Sequence, residues 1–200
     1  MCSGGKNMGR SKEFEDSVVL WKAMELFLEQ GYEKTSMSEL VEHMGIHRRS
    51  LYDTFGDKHS LFMKTLDVFG DYMQEKLKWE ALKAKTAKES IRLIFDRVIE
   101  GMWDNKQWGC LFVNSAAELA PRDNEVKERV ELAFTQTEHF FKALILKGQM
   151  EGEINSGLDA DTLSEYLHNT LLGIRILSRS TADKEKLHRI TEFSLAILDK

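Results

Sequence analysis

The residues whose types and spacing carry chemistry lie between Thr35 and Lys58, in the stretch TSMSELVEHMGIHRRSLYDTFGDK. Arg48 and Arg49 are adjacent, flanked by His47, Ser50 and Tyr52. Paired guanidinium groups make bidentate contacts to guanine or clamp phosphates. Hydroxyls on Ser36, Ser38 and Tyr52 bond phosphate oxygens. The elements that must position these groups are short helices. Ser36 and Glu39 have the spacing of a capping box, so a helix begins at Met37. Its apolar positions Met37, Leu40, Val41 and Met44 repeat at helical spacing and mark one buried face. Gly45 suits the left-handed conformation that ends a helix, and Ile46 plugs the corner. A second helix is expected from about His47 to Phe55, burying Leu51 and Phe55 and leaving the arginines near its outward N-terminal side. Gly56 and Asp57 break the chain, and Asp57 caps a helix from Lys58. Amides at the first turns of the helices near Met37 and Lys58 favour an anion. Two helices joined by a glycine turn form a helix-turn-helix, whose second helix enters the DNA major groove. Asp53, acidic beside a polyanion, is expected to point aside or to hold an arginine in place.

This stretch, with AMELFLEQGYEKTSMSEL before it and GIHRRSLYDTFGDKHSLF through it, resembles the DNA-binding segment of the TetR family of bacterial repressors. The Gly31-Tyr32 pair, the Leu51-Tyr52 pair, and Phe55-Gly56 followed by Lys58 carry the resemblance, which covers about a quarter of the chain strongly. One departure is His47, where the family has serine or another small capping residue. The resemblance implies DNA contacts from Ser36, Ser38, His47, Arg48, Arg49, Ser50, Tyr52 and Lys58.

The 200 residues are 42% hydrophobic and 30% charged, with one proline. That composition builds an ordinary core, and the abundance of helix formers makes the expected fold all-α. No apolar run approaches the roughly 20 residues of a membrane span, and no signal peptide is visible. Cys2 and Cys110 do not make a disulfide framework, so a cytoplasmic, reducing compartment is expected. The net charge of -5 runs against a nucleic-acid binder taken as a whole. A local basic footprint on an acidic body is the expectation: Lys6, Arg10 and Lys12 in the tail, and Arg48, Arg49 and Lys58 on the DNA face. His43 and His47 are four apart but straddle Gly45, and C-x-x-C and H-E-x-x-H are missing, so no metal is expected. Gly-rich phosphate loops and G-x-S-x-G are missing too, so neither catalysis nor a cofactor is expected.

Taken in order, residues 1–12 read as a flexible basic arm, with both Met1 and Met8 as possible starts. Residues 13–58 read as the helix-turn-helix domain, its first helix running from about Glu13 to Gln30. Residues 59–200 read as a helical effector-binding and dimerisation domain. A helix runs from Lys58 to about Ala84, where Gly70 could bend it. Thr86 and Glu89 form another capping box, and the next helix buries Ile91, Ile94, Phe95, Val98 and Met102. A turn spans Asn105 to Gly109. A short apolar helix then ends before Pro121, and Asp123 caps a long helix closed by Gly148 and Gly152. Helices over about Asp159–Ser178 and Asp183–Asp199 bring the expected total to nine, which is also the usual count in the resembled family.

The resemblance also implies an inducer pocket beyond the DNA-binding unit. Trp103, Trp108, Cys110, Phe112, Asn114, Phe134 and Phe141 are its expected lining, with Asn114 or Cys110 as polar anchor; plain core packing is the alternative. Few charges interrupt these aromatics, so a small hydrophobic or aromatic effector is expected. The last two helices carry apolar stripes that could pack inward or form a four-helix seam. The resemblance favours a homodimer through Leu167, Leu171, Ile174, Ile190, Phe193 and Ile197. The reading is a DNA-binding transcriptional regulator, a repressor released from double-stranded operator DNA by its effector. The alternatives are a helical interaction protein without DNA binding and a thiol-based sensor using Cys110.

Overall fold

In the computed structural model the described residues are 7–101, 109–180 and 183–199, with the backbone alone for 7–16. Among them nine α-helices follow one another: α1 (Asn7–Gln30), α2 (Met37–Met44), α3 (Arg48–Phe55), α4 (Lys58–Lys83), α5 (Ala87–Glu100), α6 (Leu111–Glu118), α7 (Asn124–Met150), α8 (Ala160–Ser180) and α9 (Lys184–Leu195). A 3-10 turn, Ala196–Leu198, closes the chain. The chain divides into two compact units, residues 1–69 and 70–200, with the division inside α4. α1 begins at Asn7, earlier than the expected Glu13. No proline interrupts residues 7–12, so the helix nucleated by the buried turns downstream propagates back through them.

The first unit is built around Phe27 of α1, which is 1% exposed. Its ring meets Phe62 edge-on, with centroids 5.0 Å apart at 82°. Tyr32 meets the same Phe62 at 4.9 Å. Leu40 and Met44 of α2, Leu51 and Phe55 of α3, and Leu61 and Leu66 of α4 complete this core. The chain reverses after α1 at Gly31, whose amide donates to Phe27 O at 2.9 Å. The hydroxyl of the buried Thr35 donates to Gly31 O at 2.6 Å and holds the loop down.

The second unit has one main core. Leu77, Ile91, Ile94, Phe95, Phe141, Ile145, Leu163, Leu167, Leu171, Ile174, Leu187 and Leu195 are all buried in it. Phe141, expected at an effector pocket, lies in this core at 0% exposure, 6.2 Å from the Phe95 ring. Leu167, Leu171 and Ile174, expected at a seam between two copies, are also inside it, each no more than 1% exposed. The reason is that α8 packs against α5, α7 and α9, so its strongest apolar stripe is used within the chain. α4 runs unbroken through Gly70. That glycine instead leaves room for the Phe112 ring, which a Cβ would meet at 3.4 Å. Likewise Gly148 lies within α7 rather than ending it. A Cβ there would stand 2.7 Å from Ile154, so the missing side chain permits close packing.

Polar groups fix the borders of this core. Glu80 is 1% exposed. It accepts from Arg97 at 3.2 Å and from Lys83 at 3.0 Å, so its buried charge is compensated. α9 is pinned to α5 by Lys184 on Glu100 at 2.7 Å and by the Arg92–Glu192 pair. No described helix is long and apolar enough to cross a membrane.

Candidate DNA-reading surface and effector cavity

The recognition surface belongs to the first unit. Ser36 caps α2: its Oγ accepts from Glu39 N at 3.2 Å, and Glu39 Oε2 accepts from Ser36 N at 2.8 Å. These bonds hold the Glu39 carboxyl below its ordinary range, the Ser36 side chain contributing most. α2 ends at Gly45 with φ +70°, a left-handed backbone that a side chain would strain. Its amide donates back to Val41 O at 3.1 Å and Glu42 O at 3.2 Å, and Lys22 Nζ donates to Met44 O at 3.4 Å. Ile46 is half-buried in the corner. The turn therefore delivers α3 in a fixed direction, with Leu51 and Phe55 inward.

The outward side of α3 carries His47, Arg48, Arg49, Ser50 and Tyr52, all exposed. Arg48 sits over the Tyr52 ring, 5.9 Å from its centroid. Arg49 Nε lies 3.5 Å from Asp53 Oδ2, one turn along, so Asp53 does hold an arginine. His47 occupies the N-cap position without a side-chain capping bond, and its imidazole stays exposed. Ser36 and Ser38 are exposed on the preceding helix. Asp57 caps α4 by accepting from Ser60 N at 2.7 Å, which holds its carboxyl below the ordinary range. Lys58 is half-buried, with Nζ 4.2 Å from the Tyr32 ring centroid. This surface presents forked cations and hydroxyls, groups able to bond base edges and phosphates.

The cavity belongs to the second unit. Gly109 has φ +83°, and a Cβ there would stand 2.4 Å from Arg179 Cδ. Only glycine permits both that backbone and that close approach. The chain then enters α6 at Cys110, which is 4% exposed. α6, α7 and α8 border a cavity of about 600 Å³ that is open to solvent on one side, lined by Val113, Ala116, Ala117, Phe134, Leu172 and Ile176. Its polar groups are Cys110, Asn114, Arg175 and Arg179. Arg175 Nη1 donates to Cys110 Sγ at 2.9 Å, and Arg179 Nη1 donates to Asn114 Oδ1 at 2.9 Å. Beside it a narrow space of about 20 Å³, room for roughly one water, touches Phe112, Phe134 and His168. His168 is 4% exposed, with Nδ1 2.9 Å from Glu138 Oε1 and its ring edge-on to Phe134. Burial pushes its pKa below the ordinary 6.5, against the opposing pull of Glu138.

Of the expected pocket residues, Cys110, Asn114 and Phe134 line the large cavity, Phe112 lines the narrow one, and Phe141 lines neither. Trp103 and Trp108 lie outside the described residues. Sequence reasoning missed Arg175, Arg179, Leu172 and Ile176. The available signal was the four-residue spacing of two arginines in a mainly apolar stretch of α8, LLGIRILSRS. Of the expected seam, only Phe193 at 84% and Ile197 at 42% are exposed, while Ile190 is half-buried against the core. Among the described residues no cluster of three or more His, Cys, Asp or Glu side chains could hold a metal.

Residues 19–64 match the family model described as bacterial regulatory proteins, tetR family. Residues 87–193 match the tetracyclin repressor-like C-terminal domain. The chain is 36% identical to the HTH-type transcriptional regulator YezE of Bacillus subtilis (strain 168), over 96% of this chain and 100% of that one. It is 29% identical to the HTH-type transcriptional repressor ComR of Escherichia coli (strain K12), over 96% and 92%. Among solved structures, a cysteine mutant of the TetR family transcriptional regulator CifR, complexed with 26-base-pair operator DNA, superposes with a TM-score of 0.78 at 25% identity, covering 88% of this chain and 93% of that one. An N-terminal helix-turn-helix with outward arginines, a helical second unit, and these matches over both parts lead to one statement: this chain belongs to the TetR family and is a DNA-binding transcriptional regulator.

Proposed function

We propose that the protein is a homodimeric repressor that a small hydrophobic effector releases from operator DNA. The observation that carries this reading is the apolar cavity among α6, α7 and α8. It has the size of a small-molecule site and a few convergent polar groups, which fix a ligand's orientation. Ser36, Ser38, His47, Arg48, Arg49, Ser50, Tyr52 and Lys58 contact the operator. Relatives named as repressors, such as ComR, support the sign of regulation. Two copies join through the outward side of α9 and the 3-10 turn after it, where Phe193 and Ile197 are exposed. An effector acts by favouring the conformer whose two recognition helices no longer fit successive major grooves. The test is a thermal-shift screen coupled to operator release. Hydrophobic or aromatic compounds are expected to raise the melting temperature and free the DNA, and Asn114→Trp is expected to abolish both while leaving DNA binding intact. Release by polar metabolites alone, or a full response in Asn114→Trp, would refute the cavity as the effector site.

A second reading has its own observation. Cys110 is a free cysteine, and Arg175 Nη1 donates to its sulfur at 2.9 Å. Cys110 would then sense thiol-reactive electrophiles from inside the cavity. Loss of response to such compounds in Cys110→Ser, with the response to inert hydrophobic compounds unchanged, would establish it.

A further inference from the structure

We infer that the effector of this cavity is a hydrophobic anion, a carboxylate on an apolar aliphatic or aromatic body. This rests on the cavity being the effector site and adds the charge of the ligand. Arg175 and Arg179 are four apart on α8, so they stand on one face, one turn from each other, and both line the cavity. The described partners of both are neutral. Arg175 Nη1 donates to the Cys110 thiol and Arg179 Nη1 to the Asn114 amide oxygen. Among the described residues, neither guanidinium has a carboxylate within ion-pair distance. Two other half-buried cations of this unit do have one: Arg97 meets Glu80 at 3.2 Å and Lys142 meets Asp161 at 2.6 Å.

The rest of the lining explains why that difference points to a ligand. Val113, Ala116, Ala117, Phe134, Leu172 and Ile176 offer no charge and no hydrogen-bonding side chain. Arg175 is half-buried against this wall. A cation beside apolar surface, without a counter-charge, is held at a desolvation cost that an incoming anion offsets. A guanidinium presents its donors as a fixed planar fork that matches a carboxylate's two oxygens. Only Nη1 of each is engaged with a described residue. Gly109 keeps Arg179 in place, because its bare Cα is what allows the arginine stem to lie so close. The site is therefore selective in two directions: its walls reject sugars and nucleotides, and its arginines reject hydrophobic cations.

The test uses the full-length dimer and matched probes of one skeleton. Decanoate, decanol and decylamine form one set, and 4-phenylbutyrate, 4-phenylbutan-1-ol and 4-phenylbutylamine the other. Isothermal titration calorimetry measures affinity, and an electrophoretic assay measures operator release. At least one acid is expected to bind about tenfold or more tightly than its alcohol, the preference that a charged hydrogen bond confers, with its amine weaker still. Arg175→Gln is expected to bring acid and alcohol to within about twofold, and Arg175→Lys to keep a reduced preference. Arg179→Gln, at the more exposed position, guards against misfolding of the first variant and is expected to lower the preference partly. If alcohol or amine binds as well as the acid, the anion inference is overturned while the cavity stands as effector site. If the preference for acid survives in both glutamine variants, the arginines are not its cause and the inference is likewise overturned. If no probe of either set binds, the cavity reading falls and the inference with it.

Discussion

Arg48 and Arg49 are neighbours in sequence but not in surroundings. Arg48 lies over the Tyr52 ring, whereas Arg49 is steered by Asp53. Both are exposed, so neither contact contributes much to stability; what they do is restrict where each fork points. A bidentate arginine discriminates between bases by about 1–3 kcal/mol. Arg48→Ala or Arg49→Ala is expected to weaken binding to the selected operator by that amount and to random duplex far less. Electrophoretic titration on both duplexes measures the difference. Unchanged binding in both variants would remove α3 as the recognition helix. His168 gives a prediction of another kind. Its pKa is lowered by burial, so on acidification the unfolded chain takes up a proton more readily than the folded one. Its contribution to stability is thus full above about 6.5 and is lost as pH falls through the lower folded value. Urea denaturation of the wild type between about pH 7 and pH 5 is expected to show a steeper loss of stability than in His168→Gln. Parallel profiles would mean that another group carries the acid sensitivity.

At the scale of elements, α8 and α9 use their apolar faces differently. Leu171 of α8 is 1% exposed within the core, and Phe193 of α9 is 84% exposed. A two-residue comparison separates folding from assembly. Leu171→Ala removes buried methyl groups and is expected to destabilise the fold by about 2–5 kcal/mol. Phe193→Glu removes none from the core. It is expected to leave the monomer folded, shift dimer to monomer in analytical ultracentrifugation, and weaken operator binding. A Phe193→Glu dimer of wild-type strength would move the seam to another surface. The capping box and glycine turn of the first unit act at this scale too. They set the direction of α3 through bonds that involve no DNA.

At the scale of the molecule, a chain of net charge -5 approaches a polyanion through a small cationic patch. Repulsion from the acidic body is screened within about 8 Å at physiological salt, so the local patch decides. Each phosphate neutralised contributes a slope of about -0.9 to the plot of log affinity against log salt. Lys58, offered as a phosphate contact from each protomer, gives an expected loss of about two units of slope in Lys58→Ala for a dimer. Affinities for operator and random duplex should fall alike, because a phosphate contact carries no sequence information. A titration across salt concentrations reads both. An unaltered slope would mean that Lys58 serves only its contact with the Tyr32 ring.

The sequence by itself determined the short helices of the first unit and the outward placement of Arg48, Arg49 and Tyr52. The capping box at Ser36, the side-chain cap at Thr86, whose Glu89 accepts from Lys85 N instead of closing a box, the stop at Gly45 and the apolar spacing of α2 and α3 are local signals, each acting within a few residues along the chain. Their output is local too, so Arg48, Arg49 and Tyr52 stand outward where the spacing put them. The tertiary structure alone decided how the second unit uses its apolar residues. Periodicity marks a face on α8 but not what covers it. α5, α7 and α9 cover Leu167, Leu171 and Ile174, which leaves Phe193 and Ile197 facing out. Phe141 reads as a pocket aromatic in a string of aromatics, but its turn of α7 points at Phe95. The cavity's arginines lie 65 residues along the chain from the Cys110 and Asn114 groups they touch. No spacing rule links residues so far apart: their meeting depends on how whole helices pack, and that is a property of the folded chain alone.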